Sequence, residues 1–130
     1  MLKVHDLHVA YGPTPVLHGV TLEVAAGEAL GVIGRNGAGK TTLLKAIVGL
    51  VPIQSGSIEL ADHGDISRVP THRRVQRGIG YVPQGRRLFP HLTVAENLIM
   101  GTELARDGRD QEEVLAAIHS AFPKVWERRA

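Results

Sequence analysis

The sequence predicts an α/β domain in which an antiparallel β-subdomain precedes one strand–loop–helix unit. Two segments with alternating apolar and polar residues, 2–10 and 16–24, flank the turn GPTP and predict paired strands. The nearly continuous apolar run ALGVI at 29–33 predicts a strand buried on both faces, as in a mainly parallel sheet. A glycine-rich loop and an apolar helical stretch follow this run directly. Together these three observations predict the α/β class.

Helices are predicted where start and stop signals flank periodic apolar residues. The stretch LLKAIVGL after the glycine loop has helical spacing and ends at a glycine. Thr93 with Glu96 three residues later predicts a capping box at the start of a second helix. Asp110 is a candidate cap for a last helix, QEEVLAAIHSAF, which we expect to end before Pro123.

Two further strands are predicted in the middle of the chain. SIELA follows the turn QSG and predicts a short strand. Residues 70–77 begin with proline and predict a helical turn, and IGYV at 79–82 predicts another strand.

Composition excludes several classes of protein. A chain of 130 residues with 43% hydrophobic residues is large enough to bury a core, and it is expected to form one domain. It has no cysteine, which excludes a disulfide scaffold and a thiolate metal site. The longest apolar stretch, 43–51, contains Lys45 and is too short to span a bilayer. The N-terminus lacks the pattern of a secretory signal, so we expect neither a signal peptide nor a transmembrane segment.

Basic residues are concentrated in the middle of the chain. No acidic residue lies between Asp65 and Glu96, whereas six arginines do: Arg68, Arg73, Arg74, Arg77, Arg86 and Arg87. Such a run indicates either a surface for an anionic partner or a solvated basic face, and composition leaves both interpretations open.

The glycine loop matches the phosphate-binding pattern G-x-x-x-x-G-K-[ST] from Gly34 to Thr41. Glycines let successive amides point into one hollow of anion size, and the following helix adds its positive end. Lys40 is expected to reach the β- and γ-phosphates, the Thr41 hydroxyl to bind Mg²⁺, and Thr42 to donate near the α-phosphate. The predicted loop residues are Gly34, Asn36, Gly37, Gly39, Lys40, Thr41 and Thr42. This pattern predicts binding of a nucleoside triphosphate.

Four stretches of the chain resemble the ATP-binding subunits of ABC transporters in order: LHVAYGPTPVLHGVTLEVAAGE, GVIGRNGAGKTTLLKAIVGL, SGSIEL and RGIGYVPQGRRLFPHLTVAENLIMG. Within that family, GRRLFPHLTVAENLIMG and FPKVWERR are most similar to the F-type ATPase of branched-chain amino-acid importers, the Liv system. ATPases of urea and amide importers are nearly as similar. The chain reads PQGRR where the amino-acid branch often has PEGRR, so both substrate assignments stay open.

The resemblance implies roles for residues outside the loop. It assigns adenine stacking to Tyr11, with Val16 along the other edge of the base, and the Q-loop contact with Mg²⁺ or its water to Gln84. It also implies a surface for the membrane permease next to the Q-loop, formed by Arg86, Arg87, Leu88, Phe89 and Pro90. ATP and Mg²⁺ are the implied ligands. The implied partners are permease subunits and a second ATP-binding subunit, at the cytoplasmic face of the membrane.

The resemblance further implies a partial ATP-binding domain. Residues 1–92 correspond to the β-subdomain and phosphate-loop core, and 93–130 to the start of the helical subdomain. An LSGGQ-like signature, a Walker B strand ending in Asp-Glu and a switch histidine are not found in the 130 residues. Without these carboxylates we expect ATP binding with little or no turnover.

Three functional interpretations follow. The chain is the N-terminal part of a transport ATPase, or a truncated module that binds nucleotide without hydrolysis. An ABC ATPase that acts on nucleic acid or the ribosome is the third, and the importer-like tract argues against it. No nucleic-acid partner is therefore expected.

Overall fold

A computed structural model describes residues 1–85, 87–104 and 111–128, and it divides into two compact units, Met1–Arg77 and Gly78–Ala130. The first unit contains strands β1 to β4 and two helices: β1 (Leu2–Tyr11), β2 (Thr14–Val24), α1 (Lys40–Ile47), β3 (Ser55–Leu60), β4 (Gly64–Asp65) and α2 (Thr71–Val75). The second contains three helices: α3 (Val94–Leu104), α4 (Gln111–Ala121) and α5 (Pro123–Glu127). The predicted boundary between subdomains at residues 92 and 93 stays a prediction.

The four strands form one antiparallel sheet in the order β2-β1-β3-β4. A two-residue turn, Gly12-Pro13, joins β1 to β2, and Gly12 has the positive φ of 57° that such tight turns require. Tyr11 and Thr14 face each other at the closed end of this hairpin. The prediction of an antiparallel N-terminal pair is confirmed, with β2 beginning two residues earlier than expected.

Apolar side chains from the sheet and from α1 form the core of the first unit. The buried residues are Val4, Leu7, Val9, Leu17, Leu43, Ala46, Ile47, Val48, Ile58 and Ile66. Helix α1 begins at Lys40, as predicted, and it buries the face that carries Leu43, Ala46 and Ile47. This burial anchors the helix whose N-terminus follows the glycine loop.

A bulge in β1 depends on a glycine fifty residues away. The β1–β2 register shifts between Val4 and Leu7, where Asp6 adopts φ 45° and donates its amide to the Thr21 hydroxyl at 3.0 Å. A Cβ at Gly56 of β3 would lie 2.3 Å from the Asp6 carbonyl oxygen. The turn signal QSG therefore contains a glycine that the packing of two strands requires.

In the second unit, the capping box predicted at Thr93 is present. The Glu96 amide donates to the Thr93 hydroxyl at 3.2 Å, and the Glu96 carboxylate accepts from the Thr93 amide at 2.7 Å. Helix α4 covers the predicted segment up to Ala121, while the predicted cap Asp110 lies outside the described residues. The expectation that α4 ends before Pro123 is confirmed, but the expectation that it is the last helix is wrong, because α5 follows. Proline is at the first position of α5, where its missing N–H costs nothing.

Two predicted strands, 29–33 and 79–82, are wrong as assignments. Neither segment is a strand in the structure, and the exposed fractions of Ile33 and Val82 are 94% and 93%. A strand requires a hydrogen-bonded neighbour, and within the described residues no segment pairs with either one. Both segments therefore have the apolar composition of a buried strand, but neither has a neighbouring strand to pair with among the described residues.

The capping box gives α3 a defined pH dependence. Hydrogen bonds from the Thr93 amide and hydroxyl hold the pKa of Glu96 below its usual value. A carboxyl group with a lowered folded-state pKa adds stability above its unfolded pKa and loses it as the pH falls through its folded pKa. We expect amide protection in the first turn of α3 to weaken below about pH 4.3. The Glu96→Gln variant should lack this acid-induced step in amide exchange measured by NMR between pH 7 and 3, and identical profiles would contradict the prediction.

Candidate nucleotide site

The glycine loop ends in a helix cap that leaves backbone donors available. Gly37 and Gly39 have φ values of 83° and 89°, and Gly39 caps α1 without a side-chain hydrogen bond. The first helical bond runs from the Leu43 amide to the Gly39 carbonyl at 2.8 Å. The amides of the three preceding residues lie ahead of this bond at the positive end of the helix. Such a cap is suited to an anion.

Lys40 places a cation across the same loop. Its ammonium donates to the carbonyl oxygens of Gly34 at 2.8 Å and Arg35 at 2.7 Å. These bonds hold the long side chain back over the loop that precedes it, beside the helix cap. The charge and the backbone donors are thereby brought to one place.

Gly39 packs the loop directly against β2. A Cβ at this position would lie 2.8 Å from Leu17 Cδ2 and 3.3 Å from the Val16 carbonyl oxygen. Val16 is half-buried, and Tyr11 on the same hairpin has an exposed fraction of 47%. The first unit therefore contains the predicted loop and both residues predicted to contact adenine. Of these two residues, Val16 packs against the loop at Gly39.

The hydroxyl residues after Lys40 differ in exposure. Thr41 is exposed, whereas Thr42 is buried against the first unit. Within the described ranges, histidine, aspartate and glutamate side chains form no group of three that could hold a metal ion. Mg²⁺ takes one or two protein ligands and fills its remaining positions with phosphate oxygens and water. An exposed hydroxyl at the start of α1 fits that manner of binding.

A sequence profile of the ABC transporter family matches residues 17–128. The chain belongs to this family. ABC ATP-binding domains bind ATP, dimerise and work with membrane permeases. The α/β fold with an antiparallel sheet agrees with an incomplete domain of this type.

Named relatives in this family transport different molecules. The chain is 42% identical over 106 residues to the lipopolysaccharide export ATP-binding protein LptB of Escherichia coli K12, covering 82% of this chain and 44% of LptB. It is 38% identical over 130 residues to a probable branched-chain amino acid transport ATP-binding protein, LivF, of Archaeoglobus fulgidus, covering 100% and 53%. The chain thus spans about half the length of these relatives.

Solved ABC structures share the fold of this chain. An ATP-binding subunit of an ABC transporter has a TM-score of 0.82 at 30% identity, covering 99% of this chain and 52% of that one. A dimeric ATP-binding cassette in a post-hydrolysis state with ADP and Pi has a TM-score of 0.72 at 26% identity, covering 88% and 52%.

The remaining predicted ABC site residues belong to the second unit. Gln84 is exposed there, and so are Arg87, Leu88, Phe89 and Pro90. Arg86 lies outside the described residues. The predicted contact of Gln84 with Mg²⁺ stays a prediction. Among the described residues, no helix is long and apolar enough to cross a bilayer.

One arginine of the basic tract has a structural role that sequence reasoning missed. Arg74 is 3% exposed and donates to the carbonyl oxygens of Ala46, Ile47, Ser67 and Val69 at 2.7–2.9 Å. Burial lowers the pKa of this guanidinium, whereas the Asp65 carboxylate raises it. Two of the carbonyls belong to the end of α1, so Arg74 fixes the helix that presents the loop. No local signal distinguishes it from its arginine neighbours.

A second missed residue is Asn97. Its side-chain amide lies within hydrogen-bond distance of four backbone atoms of Phe89, Leu92 and Thr93. Sequence reasoning assigned the capping of α3 to Thr93 and Glu96 and gave Asn97 no role.

Substitution of Gly39 should disrupt the candidate site. An alanine there must adopt a left-handed conformation, which costs about 1–2 kcal/mol, and its Cβ would contact Leu17. We expect Gly39→Ala to weaken ATP binding about tenfold or more in calorimetry. Gly31→Ala is the matched control, because a Cβ there meets open space. Equal affinities of the two variants would contradict the assignment.

Proposed function

We propose that this chain binds ATP with Mg²⁺ at the glycine loop. The observation that carries the proposal is a loop that ends in the Gly39 cap, which has no side-chain hydrogen bond, and that holds the Lys40 ammonium over its first two residues. In this proposal the amides bind the β-phosphate, and Lys40 leaves the Gly34 and Arg35 carbonyls to neutralise the β- and γ-phosphates. The Thr41 hydroxyl binds the metal and Thr42 supports the α-phosphate side. When bound, Mg²⁺ supplies charge neutralisation of the triphosphate.

The hairpin end is the proposed base site. Tyr11 has an exposed fraction of 47% and lies next to the turn that joins β1 and β2. Stacking on a purine is favourable because the ring presents a large flat apolar face. Val16, which contacts the loop at Gly39, extends the apolar surface toward the phosphates. Replacement of Tyr11 by alanine should therefore lower the affinity for ATP more than the affinity for inorganic triphosphate.

Calorimetric titration of the full 130-residue chain with ATP and Mg²⁺ tests the proposal. We expect saturable heat with one site per chain, competition by ADP, and release of inorganic phosphate at or near background. Absence of saturable binding at millimolar ATP in a folded sample would overturn it. Rapid phosphate release would instead overturn the proposal that residues 1–130 hold ATP with little or no turnover.

For the intact protein we propose a role in importing branched-chain amino acids. The supporting observation is the match to LivF, which extends over all 130 residues. Export of lipopolysaccharide is the second candidate, because LptB is 42% identical over a shorter stretch. The urea and amide assignment rests on the sequence reading alone, in which PQGRR stands at the Q-loop. Uptake of labelled leucine, isoleucine and urea by a deletion strain distinguishes these candidates.

The proposed permease surface consists of residues 86–90. Leu88 and Phe89 are exposed by 69% and 54%, and Arg87 adds a cation beside them. A mixture of apolar anchors and arginine is typical of protein interfaces. In the proposal this surface receives a short cytoplasmic helix of the membrane subunit.

Phe89→Asp should abolish assembly with the permease and leave the affinity for ATP unchanged. A carboxylate at an apolar anchor has to be desolvated on binding, and that cost opposes association. Co-purification with detergent-solubilised permease measures the effect. Phe122→Asp is the control, since Phe122 is exposed by 60%, close to the 54% of Phe89, but lies outside this surface. Retained assembly of the Phe89 variant would remove residues 86–90 from the interface.

A further inference from the structure

The Asn97 side chain holds the loop that precedes α3. Its Oδ1 accepts the Phe89 amide at 2.9 Å, and its Nδ2 donates to the Phe89 carbonyl at 3.1 Å. The same Nδ2 lies 3.2 Å from the Leu92 carbonyl and 2.9 Å from the Thr93 carbonyl. One short amide thus satisfies both backbone polar groups of Phe89, as a neighbouring strand would.

The turn around Pro90 completes this arrangement. The Leu92 amide donates to the Phe89 carbonyl at 3.1 Å, which closes a turn with proline at its second position, where its fixed φ is favoured. The backbone of Phe89 is therefore bonded on both sides, while its side chain and that of Leu88 remain exposed. The backbone of one member of this exposed apolar pair, Phe89, is therefore fixed by hydrogen bonds.

We propose that Asn97 is a positioning residue for the permease surface: it orders the backbone at Phe89 so that Leu88 and Phe89 meet the membrane subunit already in their bound arrangement. This inference rests on the proposed permease interface. A loop that is already ordered loses less conformational entropy when it binds, so its association is more favourable. Asparagine suits the role because a single short side chain supplies the acceptor and the donors; alanine supplies neither, and aspartate lacks the donors.

Amide exchange in the full chain tests the positioning step without the permease. Asn97→Ala should speed exchange of the Phe89 amide about tenfold or more, because its acceptor is lost. The helix itself should persist, since alanine is the stronger helix former. Thr93→Ala is the matched control: it removes the cap of α3, keeps the Asn97–Phe89 pair, and should leave Phe89 exchange near the wild-type rate. Unchanged exchange in Asn97→Ala would overturn the inference.

Capture by purified membrane subunits of the branched-chain amino-acid importer from the same organism tests the functional step. Asn97→Ala should weaken capture about tenfold in the wild-type background and have no further effect in a Phe89→Ala background. An equal loss in both backgrounds would show that Asn97 acts on general stability, which contradicts a positioning role. If Phe89→Asp assembles normally while exchange at Phe89 still depends on Asn97, the permease interface fails and the local ordering stands.

Discussion

Lys40→Ala is expected to reduce the affinity of the chain for ATP about 10- to 100-fold. The structure holds the Lys40 ammonium over residues 34 and 35, through bonds to their carbonyl oxygens. A charge-assisted hydrogen bond to phosphate contributes about 1.5–3 kcal/mol, which corresponds to that range of affinity. Calorimetric titration with ATP and Mg²⁺ measures the loss.

A second lysine on the same helix provides the control. Lys45 lies in the last turn of α1, more than one helical turn from the loop. Lys45→Ala removes the same charge from the chain as Lys40→Ala does. We expect it to retain near wild-type affinity. A parallel loss in both variants would mean that net charge, and not the position of Lys40, governs binding. Lys40→Arg separates charge from geometry, because the planar guanidinium keeps the charge without the compact ammonium.

Arg74→Ala is expected to destabilise the first unit, by about 1–3 kcal/mol for each buried carbonyl oxygen that is left without a donor. The guanidinium is buried, and its removal leaves carbonyl oxygens at the end of α1 and in the 65–70 segment without their donors. Domains have total stabilities of about 5–15 kcal/mol, so this loss should remove a large part of the stability of the first unit. Urea unfolding followed by circular dichroism measures the midpoint.

The neighbouring arginine is a stringent control. Arg73 is exposed on α2, and Arg73→Ala should change the free energy of unfolding by less than about 0.5 kcal/mol. Arg74→Lys keeps the charge but not the forked donors, so its midpoint should fall between those of wild type and Arg74→Ala. Coincident unfolding curves for the two alanine variants would refute the structural role of Arg74.

Lys40 is proposed to bind the nucleotide, whereas Arg74 supports the helix that presents the loop. Lys40 is placed by residues five and six positions earlier, so its effect is confined to the loop. Arg74 reaches carbonyls 27 and 28 residues away, so its loss affects the whole helix that presents the loop. An ATP titration of Arg74→Ala should therefore show unchanged stoichiometry with an apparent affinity that is lowered in proportion to the folded fraction, because binding draws unfolded chains back to the folded state.

Short-range patterns accounted for much of the fold. The strand pair around Gly12, the start of α1 at Lys40, the capping box at Thr93 and most of α4 were all predicted correctly. Each depends on interactions within a few residues: a positive φ, a capped amide or a periodic apolar face. The phosphate-binding pattern is also local, since its glycines and lysine lie within one loop. Its residues could therefore be named without knowledge of the tertiary structure.

The tertiary structure alone decided the burial of Arg74, the packing of Gly56 beneath Asp6 and the exposure of Ile33. Each depends on segments far apart in sequence. An arginine in a basic tract is buried only where remote carbonyls converge on it, and an apolar run is a strand only where another segment supplies hydrogen bonds. Local sequence therefore determined which residues are proposed to bind phosphate. Long-range packing determined which residues hold that loop in place, because hydrogen-bond partners and close backbone contacts exist only after the chain has folded.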